Sequence, residues 1–231
     1  MLAHSHPTPE ELHPALWRAS QLARSAARCV DTGHPALSNQ LPGGGWPMGV
    51  LIDLLVQQAG IGEVRLLAPA LVQVAKRRVV LLQPPHAPQT LALAGLGLAA
   101  SEVLWVKSKS GPDALWAAEQ ILRSASCAAL LFWSSHVRPE SLRRLNLAAQ
   151  AGETLFFMMR PIAAAQDASP APLRLSLRPA RGGIDVGFVK RRGPQRDDCL
   201  FIPLSGPGHA TVCRPVPVEH LVPTRALEAV I

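Results

Sequence analysis

The sequence predicts an α/β fold of three layers, in which helices cover both faces of a mainly parallel sheet. Between residues 50 and 159, short apolar runs of strand length alternate with segments of helical length. These runs stay apolar at consecutive positions, as strands buried on both faces do, and right-handed crossovers would place the helices on both faces. Three further apolar runs follow residue 161 without helices between them, which predicts antiparallel strands added near the C-terminus.

Size and composition agree with one domain that has a sizeable core. The chain has 231 residues, of which 48% are hydrophobic. Its net charge of +7 favours acidic partners such as nucleic acid, and a cationic surface without a special partner explains the charge equally well. The longest apolar run, near residues 91–100, is about half of what a membrane-spanning helix needs, and no secretory signal opens the sequence. We therefore expect a cytoplasmic protein with no membrane partner and with reduced cysteines.

Periodicity and turn residues place the first elements. Residues 14–28 carry apolar side chains at helical spacing, and Pro14 suits the first turn of a helix. This segment therefore predicts a basic helix. Residues 41–47 contain three consecutive glycines, each costing about 1 kcal/mol in a helix relative to alanine, and predict a loop closed by Trp46. Strands are then expected at 50–56, 78–82, 102–106, 128–133 and 154–159, and helices at 63–76, 88–99, 112–124 (capped by Ser110) and 139–151.

The composition changes after residue 161, where the chain becomes rich in proline. We expect a loop at 163–172, strands at 173–177, 184–189 and 200–204, and a short helix at 224–230. The chain thus divides into a helical arm (1–30), a core domain (31–205) and a Pro-rich tail (206–231).

The loop after the first core strand is where such a fold binds phosphate. A Walker A loop has the pattern G-x-x-x-x-G-K-[ST], in which the lysine meets the phosphates and the hydroxyl binds Mg²⁺. This chain keeps Gly60 and Gly62, but Glu63 stands in place of the lysine and Val64 in place of the hydroxyl. Because a carboxylate repels a triphosphate, the loop predicts that no nucleotide cofactor and no metal is bound here.

Two motifs carry a resemblance to a known family. The run LPGGGWPMG at residues 41–49, followed by GIGE at 60–63, resembles ImuA, a RecA-like accessory protein of bacterial translesion synthesis. The resemblance covers about residues 31–204 and implies a RecA-like core. Pro85, Trp133 and Arg160 stand where that fold has its catalytic Glu, its Walker B Asp and its phosphate-sensing Gln. We therefore expect no ATPase activity and no enzyme function.

The resemblance also implies partners. A non-catalytic scaffold of SOS mutagenesis would bind an ImuB-type homologue of Y-family polymerases, an error-prone replicative-type DNA polymerase and RecA, with direct DNA contact near the damaged nucleoid. The helix at 14–28 and the tail after residue 206 are the expected contact elements. The alternative is a SulA-type cell division inhibitor, which would bind the division GTPase FtsZ, because FFMMRP at 156–161 resembles the strand of that family that ends in MRP.

Basic side chains concentrate between residues 174 and 196, and Asp185 is the only acidic residue in that range. As a nucleic-acid or partner contact, this cluster would use Arg174, Arg178, Arg181, Lys190, Arg191, Arg192 and Arg196. A charged strand edge that prevents edge-to-edge aggregation explains the same pattern equally well. Among the tryptophans, we expect Trp105, Trp116 and Trp133 to be buried, and Trp17 and Trp46 to face a partner.

Overall fold

A computed structural model describes residues 28–192, 198–204 and 229–230. The predicted helix at 14–28 (apart from its last residue), Arg196, Trp17 and most of the tail therefore lie outside the described residues. At 229–230 the expected helix is wrong, because Ala229–Val230 form a strand that pairs with the edge of the sheet.

Two short strands precede the main sheet, and nine strands form it within the described residues. The short pair is β1 (Cys29–Val30) and β2 (Trp46–Pro47), which are antiparallel. The main sheet consists of β3 (Leu51–Val56), β4 (Arg78–Leu82), β5 (Val103–Lys107), β6 (Cys127–Trp133), β7 (Leu155–Pro161), β8 (Leu173–Ala180), β9 (Gly183–Lys190), β10 (Leu200–Pro203) and β11 (Ala229–Val230). Their order is β10-β9-β8-β3-β7-β6-β4-β5-β11.

The sheet is mixed and mainly parallel, as the sequence predicts. All the pairings from β8 through β3, β7, β6, β4 and β5 to β11 are parallel. The hairpin of β8 and β9, and the pairing of β9 with β10, are antiparallel. The predicted antiparallel addition near the C-terminus is therefore confirmed for β9 and β10, while β8 joins the parallel part.

Five helices connect these strands in the described part of the chain: α1 (Pro35–Ser38), α2 (Glu63–Val74), α3 (Thr90–Gly95), α4 (Gly111–Arg123) and α5 (Pro139–Gly152). The predicted cap of α4 is confirmed, since the Ser110 side chain accepts a hydrogen bond from the Asp113 backbone N–H at 3.3 Å. Helix α3 is shorter than predicted because the chain turns at Gly97, which has φ +83°. None of the helices in these described ranges combines the length and apolarity needed to cross a bilayer.

Two hydrophobic clusters make the fold three-layered. On one face of the sheet, α1, α2 and α3 cover side chains such as Leu54, Leu81 and Phe157. On the other face, α4 and α5 cover Val80, Leu130 and their neighbours. Successive residues of the buried strands alternate between the two clusters, which explains why these strands are apolar at consecutive positions.

Candidate functional site

The loop after β3 folds around a carboxylate of its own chain. Glu63, the first residue of α2, is only 3% exposed. Its carboxylate oxygens accept hydrogen bonds from the backbone N–H groups of Gly60, at 3.1 Å, and Gly62, at 3.2 Å. In phosphate-binding loops, such amides at the start of a helix hold an anionic group of the ligand. Here the anion at these two amides is a side chain.

The two glycines of this loop have conformations that glycine favours. Gly60 has φ +81° and Gly62 has φ +109°, in the region that residues with a Cβ atom rarely adopt. A Cβ atom at position 62 would also lie 2.7 Å from Cδ1 of Leu204, the residue after β10. Arg65 of α2 donates a hydrogen bond to the Leu204 carbonyl oxygen. The loop and the end of β10 are therefore packed against each other.

An apolar cleft of about 270 Å³ lies beside this loop, at the carboxyl edge of the parallel strands. Open α/β sheets bind their ligands at this edge. The loop glycines, residues 84–89, α3 and Trp133 line the cleft. The indole Nε1 of Trp133 is buried and makes no hydrogen bond. The lining of the cleft is mainly apolar, so it suits apolar groups better than a triphosphate.

The three residues that the resemblance places at catalytic positions do not meet in one site. Pro85 and Trp133 line the cleft, as does Val64. Arg160 lies near the end of β7 and is buried, with its guanidinium directed at Asp53 of β3.

Arg174, predicted as a nucleic-acid or partner contact, is instead part of a buried ionic cluster. It is 5% exposed, and its Nε donates to Asp53 Oδ2 at 3.0 Å. Arg160 Nη1 donates to the same oxygen at 3.2 Å, and Arg160 Nη2 donates to Asp167 at 2.7 Å. The remaining Arg174 donors bind backbone carbonyl groups, among them that of Ala164 at 2.7 Å. The contact prediction is therefore wrong for Arg174, because its side chain is buried and its guanidinium is paired with Asp53.

The other basic residues lie near opposite ends of the β8–β9 hairpin. Arg178 and Arg181 are exposed near its turn, while Lys190 and Arg192 are exposed at the far end. Lys190 pairs with Arg174 in the hairpin. Along β8, the positions of Arg174 and Arg178 are about 13 Å apart. Arg191 is half-buried, donates to the Gln40 carbonyl oxygen and lies 5.0 Å from the centre of the Phe188 ring. Their role as contacts remains a prediction.

The burial of two tryptophans differs from the sequence prediction. Trp46 is fully buried and packs edge-on against Phe157, with ring centres 5.2 Å apart, so it is not a partner surface. Trp116 is 52% exposed on α4, although it was predicted to be buried. The spacing of Ala114, Ala117 and Ala118 marks the buried stripe of this helix, and that stripe already excludes position 116.

Comparisons with known proteins found similarity to SulA, a cell division inhibitor. No protein-family model matches the chain. A stretch of 76 residues, 33% of this chain, is 32% identical to the cell division inhibitor SulA of Edwardsiella piscicida and spans 45% of that protein. The chain thus matches less than half the length of this relative. The crystal structure of SulA from Pseudomonas aeruginosa is also similar over 48% of this chain and 97% of its own, with 23% identity and a TM-score of 0.41.

This finding corrects the main functional prediction. The expected role in translesion synthesis is wrong: the relative found by sequence comparison is a cell division inhibitor, which was the alternative. The polymerase, RecA and DNA partners expected with that role stay predictions.

Proposed function

We propose that this chain is a cell division inhibitor of the SulA kind, which acts by binding the division GTPase FtsZ. The observation that carries the proposal is the 32% identity to SulA over 76 residues. The motif FFMMRP at 156–161 is consistent with it, since these residues form the central strand β7. We also infer that the core descends from a RecA-like fold, because a strand, a glycine-containing loop and a helix follow one another at residues 51–74.

Inhibition by binding needs no catalysis, and the loop after β3 supports a non-catalytic role. Two of its amides already hold Glu63. A nucleotide would have to displace a buried carboxylate from these hydrogen bonds and face its negative charge. We therefore propose that the protein binds no nucleoside triphosphate and is not an enzyme.

The surface beside the apolar cleft is the contact that we propose for FtsZ. Leu91 of α3 is 87% exposed, and its helix neighbours Ala92 and Leu93 line the cleft. An exposed large aliphatic side chain next to an apolar cleft is typical of an interaction surface. Binding here would cover Leu91 and the cleft together.

The proposal is tested by expressing the chain from an inducible promoter in a rod-shaped bacterium that lacks its own division inhibitor. We expect cells to grow into filaments without septa while DNA replication continues. A purified sample should also reduce the amount of sedimentable FtsZ polymer in proportion to its concentration. Cells of normal length that contain the folded protein, together with unchanged FtsZ polymer, would contradict the proposal.

A further inference from the structure

A second groove, of about 570 Å³, lies on the face of the sheet opposite to the cleft. We call it the α4/α5 groove. It is formed by the N-terminal halves of α4 and α5 and by residues 136 and 138 of the connection that follows β6. The same connection begins next to Trp133, which lines the cleft. The groove and the cleft are therefore separate surfaces on the two sides of one connection.

The apolar part of the α4/α5 groove centres on Trp116. More than half of this side chain is accessible to solvent, and Leu115 and Leu145 lie beside it in the lining. Tryptophan is the residue type most often found to dominate the binding energy of protein interfaces. A half-exposed indole at the wall of a groove thus offers an anchoring position for an apolar side chain.

The charged part of the groove is cationic. Glu119 is the one carboxylate in its described lining; it is buried and already bound to Arg123, at 2.7 Å, and to Arg144. Arg138 is exposed in the lining and has no ion pair among the residues that the structure describes. The helix-start acids Asp113 and Glu140 lie outside the lining. The groove therefore presents the Arg138 guanidinium, which forms no ion pair within the described ranges, beside the starts of α4 and α5. The first-turn acids Asp113 and Glu140 offset the partial positive charge of those helix starts, so Arg138 is the cation that the proposal uses.

We propose that the α4/α5 groove docks an acidic peptide segment of a partner protein. One apolar side chain of that segment would lie against Trp116, and a neighbouring carboxylate would pair with Arg138. This goes beyond the binding of FtsZ proposed above, since it uses the other face of the sheet and leaves Leu91 and the cleft uncovered.

A peptide fits the groove better than a nucleic acid does. Binding to a phosphate backbone requires a row of uncommitted cations, whereas Arg144 in this lining is held by Glu119. Leu115 and Leu145 belong to the same lining as the indole, and aliphatic side chains suit apolar side chains of a peptide rather than stacked bases. The combination of apolar anchor and nearby cation matches a segment in which single leucine or phenylalanine residues are separated by aspartate or glutamate residues.

The test measures binding of short fluorescein-labelled peptides to the full chain by fluorescence anisotropy. The probe peptide has leucines separated by pairs of acidic residues, and matched peptides replace the acids by lysine or the leucines by alanine. We expect micromolar binding of the probe alone. Trp116→Ala and Arg138→Glu should each weaken it at least about tenfold. The controls Leu147→Ala and Arg143→Glu, at exposed positions of α5 outside the lining, should change it less than about twofold.

Three outcomes would overturn the proposal. The first is no binding of the probe at millimolar concentration. The second is equal weakening by Arg143→Glu and Arg138→Glu, which would assign the binding to diffuse positive charge. The third is that an oligo-thymidine binds more tightly than the probe and that Trp116→Ala and Arg138→Glu abolish this binding. That outcome would make the groove a nucleic-acid site. Trp116→Gln provides a second anchor variant, and circular dichroism confirms that each variant is folded.

Discussion

At the scale of single residues, Glu63 decides what the loop after β3 can do. A lysine at this position would leave the Gly60 and Gly62 amides open to a phosphate, whereas the glutamate occupies them with its own carboxylate. One residue therefore changes an anion-binding loop into an internally satisfied turn. The sequence alone predicts the loss of nucleotide chemistry from the residue type. The hydrogen bonds show which groups the glutamate binds in the loop, while the loss of nucleotide chemistry itself stays a prediction.

The first prediction concerns Glu63→Ala. This variant leaves two loop amides without their acceptor, so the free energy of unfolding should fall by about 1–3 kcal/mol. Because the vacated amides can then bind an anion, added phosphate should restore part of that loss, measured by urea denaturation. Glu140→Ala, which removes an exposed acid from the first turn of α5, is the matched control. A phosphate effect of equal size on both variants would contradict the prediction.

Burial of single side chains was predicted well for aliphatic residues and poorly for long polar or aromatic ones. Met158 and Met159, in the strand expected at 154–159, are core residues. Arg174 and Trp46 were expected at a surface and are buried. Whether an arginine is buried depends on whether the fold brings a carboxylate to it, and Asp53 is 121 residues away from Arg174 in the chain. Local periodicity contains no information about such a pair.

At the scale of elements, β3 is held between β7 and β8 by an ionic cluster as well as by backbone pairing. Asp53 bonds to Arg160 of β7 and to Arg174 of β8. Arg174 also binds carbonyl groups of the short helical turn Ile162–Gln166 that connects these two strands. The cluster therefore fixes the connection between β7 and β8 against the sheet.

The second prediction is that Asp53→Asn destabilises the protein by about 3–5 kcal/mol, because two buried guanidinium groups lose their shared carboxylate. The measurement is urea denaturation followed by tryptophan fluorescence. Arg178→Ala, at an exposed position of β8, should change stability by less than about 0.5 kcal/mol. If Asp53→Asn does not fold, the triple variant Asp53→Leu, Arg160→Met, Arg174→Met should recover folding. A stable, unperturbed Asp53→Asn would refute the structural role of the cluster.

Element boundaries were predicted within a few residues, whereas strand order was not predicted. Local apolar patterns and Pro139 predict the strand at 78–82 and the helix at 139–151. In the structure, the strand is Arg78–Leu82 and the helix is Pro139–Gly152. The central position of β3 between β7 and β8 depends on pairings across the whole chain. Such long-range pairings leave no trace in local periodicity.

At the scale of the whole molecule, the two faces of the sheet differ in what they offer to partners. The cleft face carries Leu91 and the apolar cleft, and the other face carries the α4/α5 groove.

The third prediction is that Leu91→Asp abolishes cell filamentation and raises by at least about tenfold the concentration needed to reduce FtsZ polymer. Leu147→Asp, which alters an exposed leucine on the opposite layer, should behave as the unmodified chain does. Equal activity of both variants would exclude the Leu91 surface as the FtsZ contact.

The fourth prediction concerns the thiols as reporters of the packed core. Burial raises the pKa of the Cys127 thiol, while Cys199 is exposed. Because the thiolate is the reactive form, iodoacetamide at about pH 8 should label Cys199 at least about tenfold faster than Cys127 in the folded protein. Urea should abolish the difference, as measured by peptide mass mapping. Equal labelling rates without urea would contradict the packing of β6.

The contact between Gly62 and Leu204 has a consequence for how the sequence can vary. A phosphate loop that no longer serves a nucleotide would be expected to tolerate new side chains at its glycines. Here the positive φ of Gly62 restricts the position to glycine, and the Leu204 methyl group leaves no room for a Cβ atom. The hydrogen bond from the Gly62 N–H to Glu63 additionally excludes proline. In a saturation library selected only for folding, position 62 should therefore stay glycine even when Leu204 is shortened in the same molecule, because the positive φ remains.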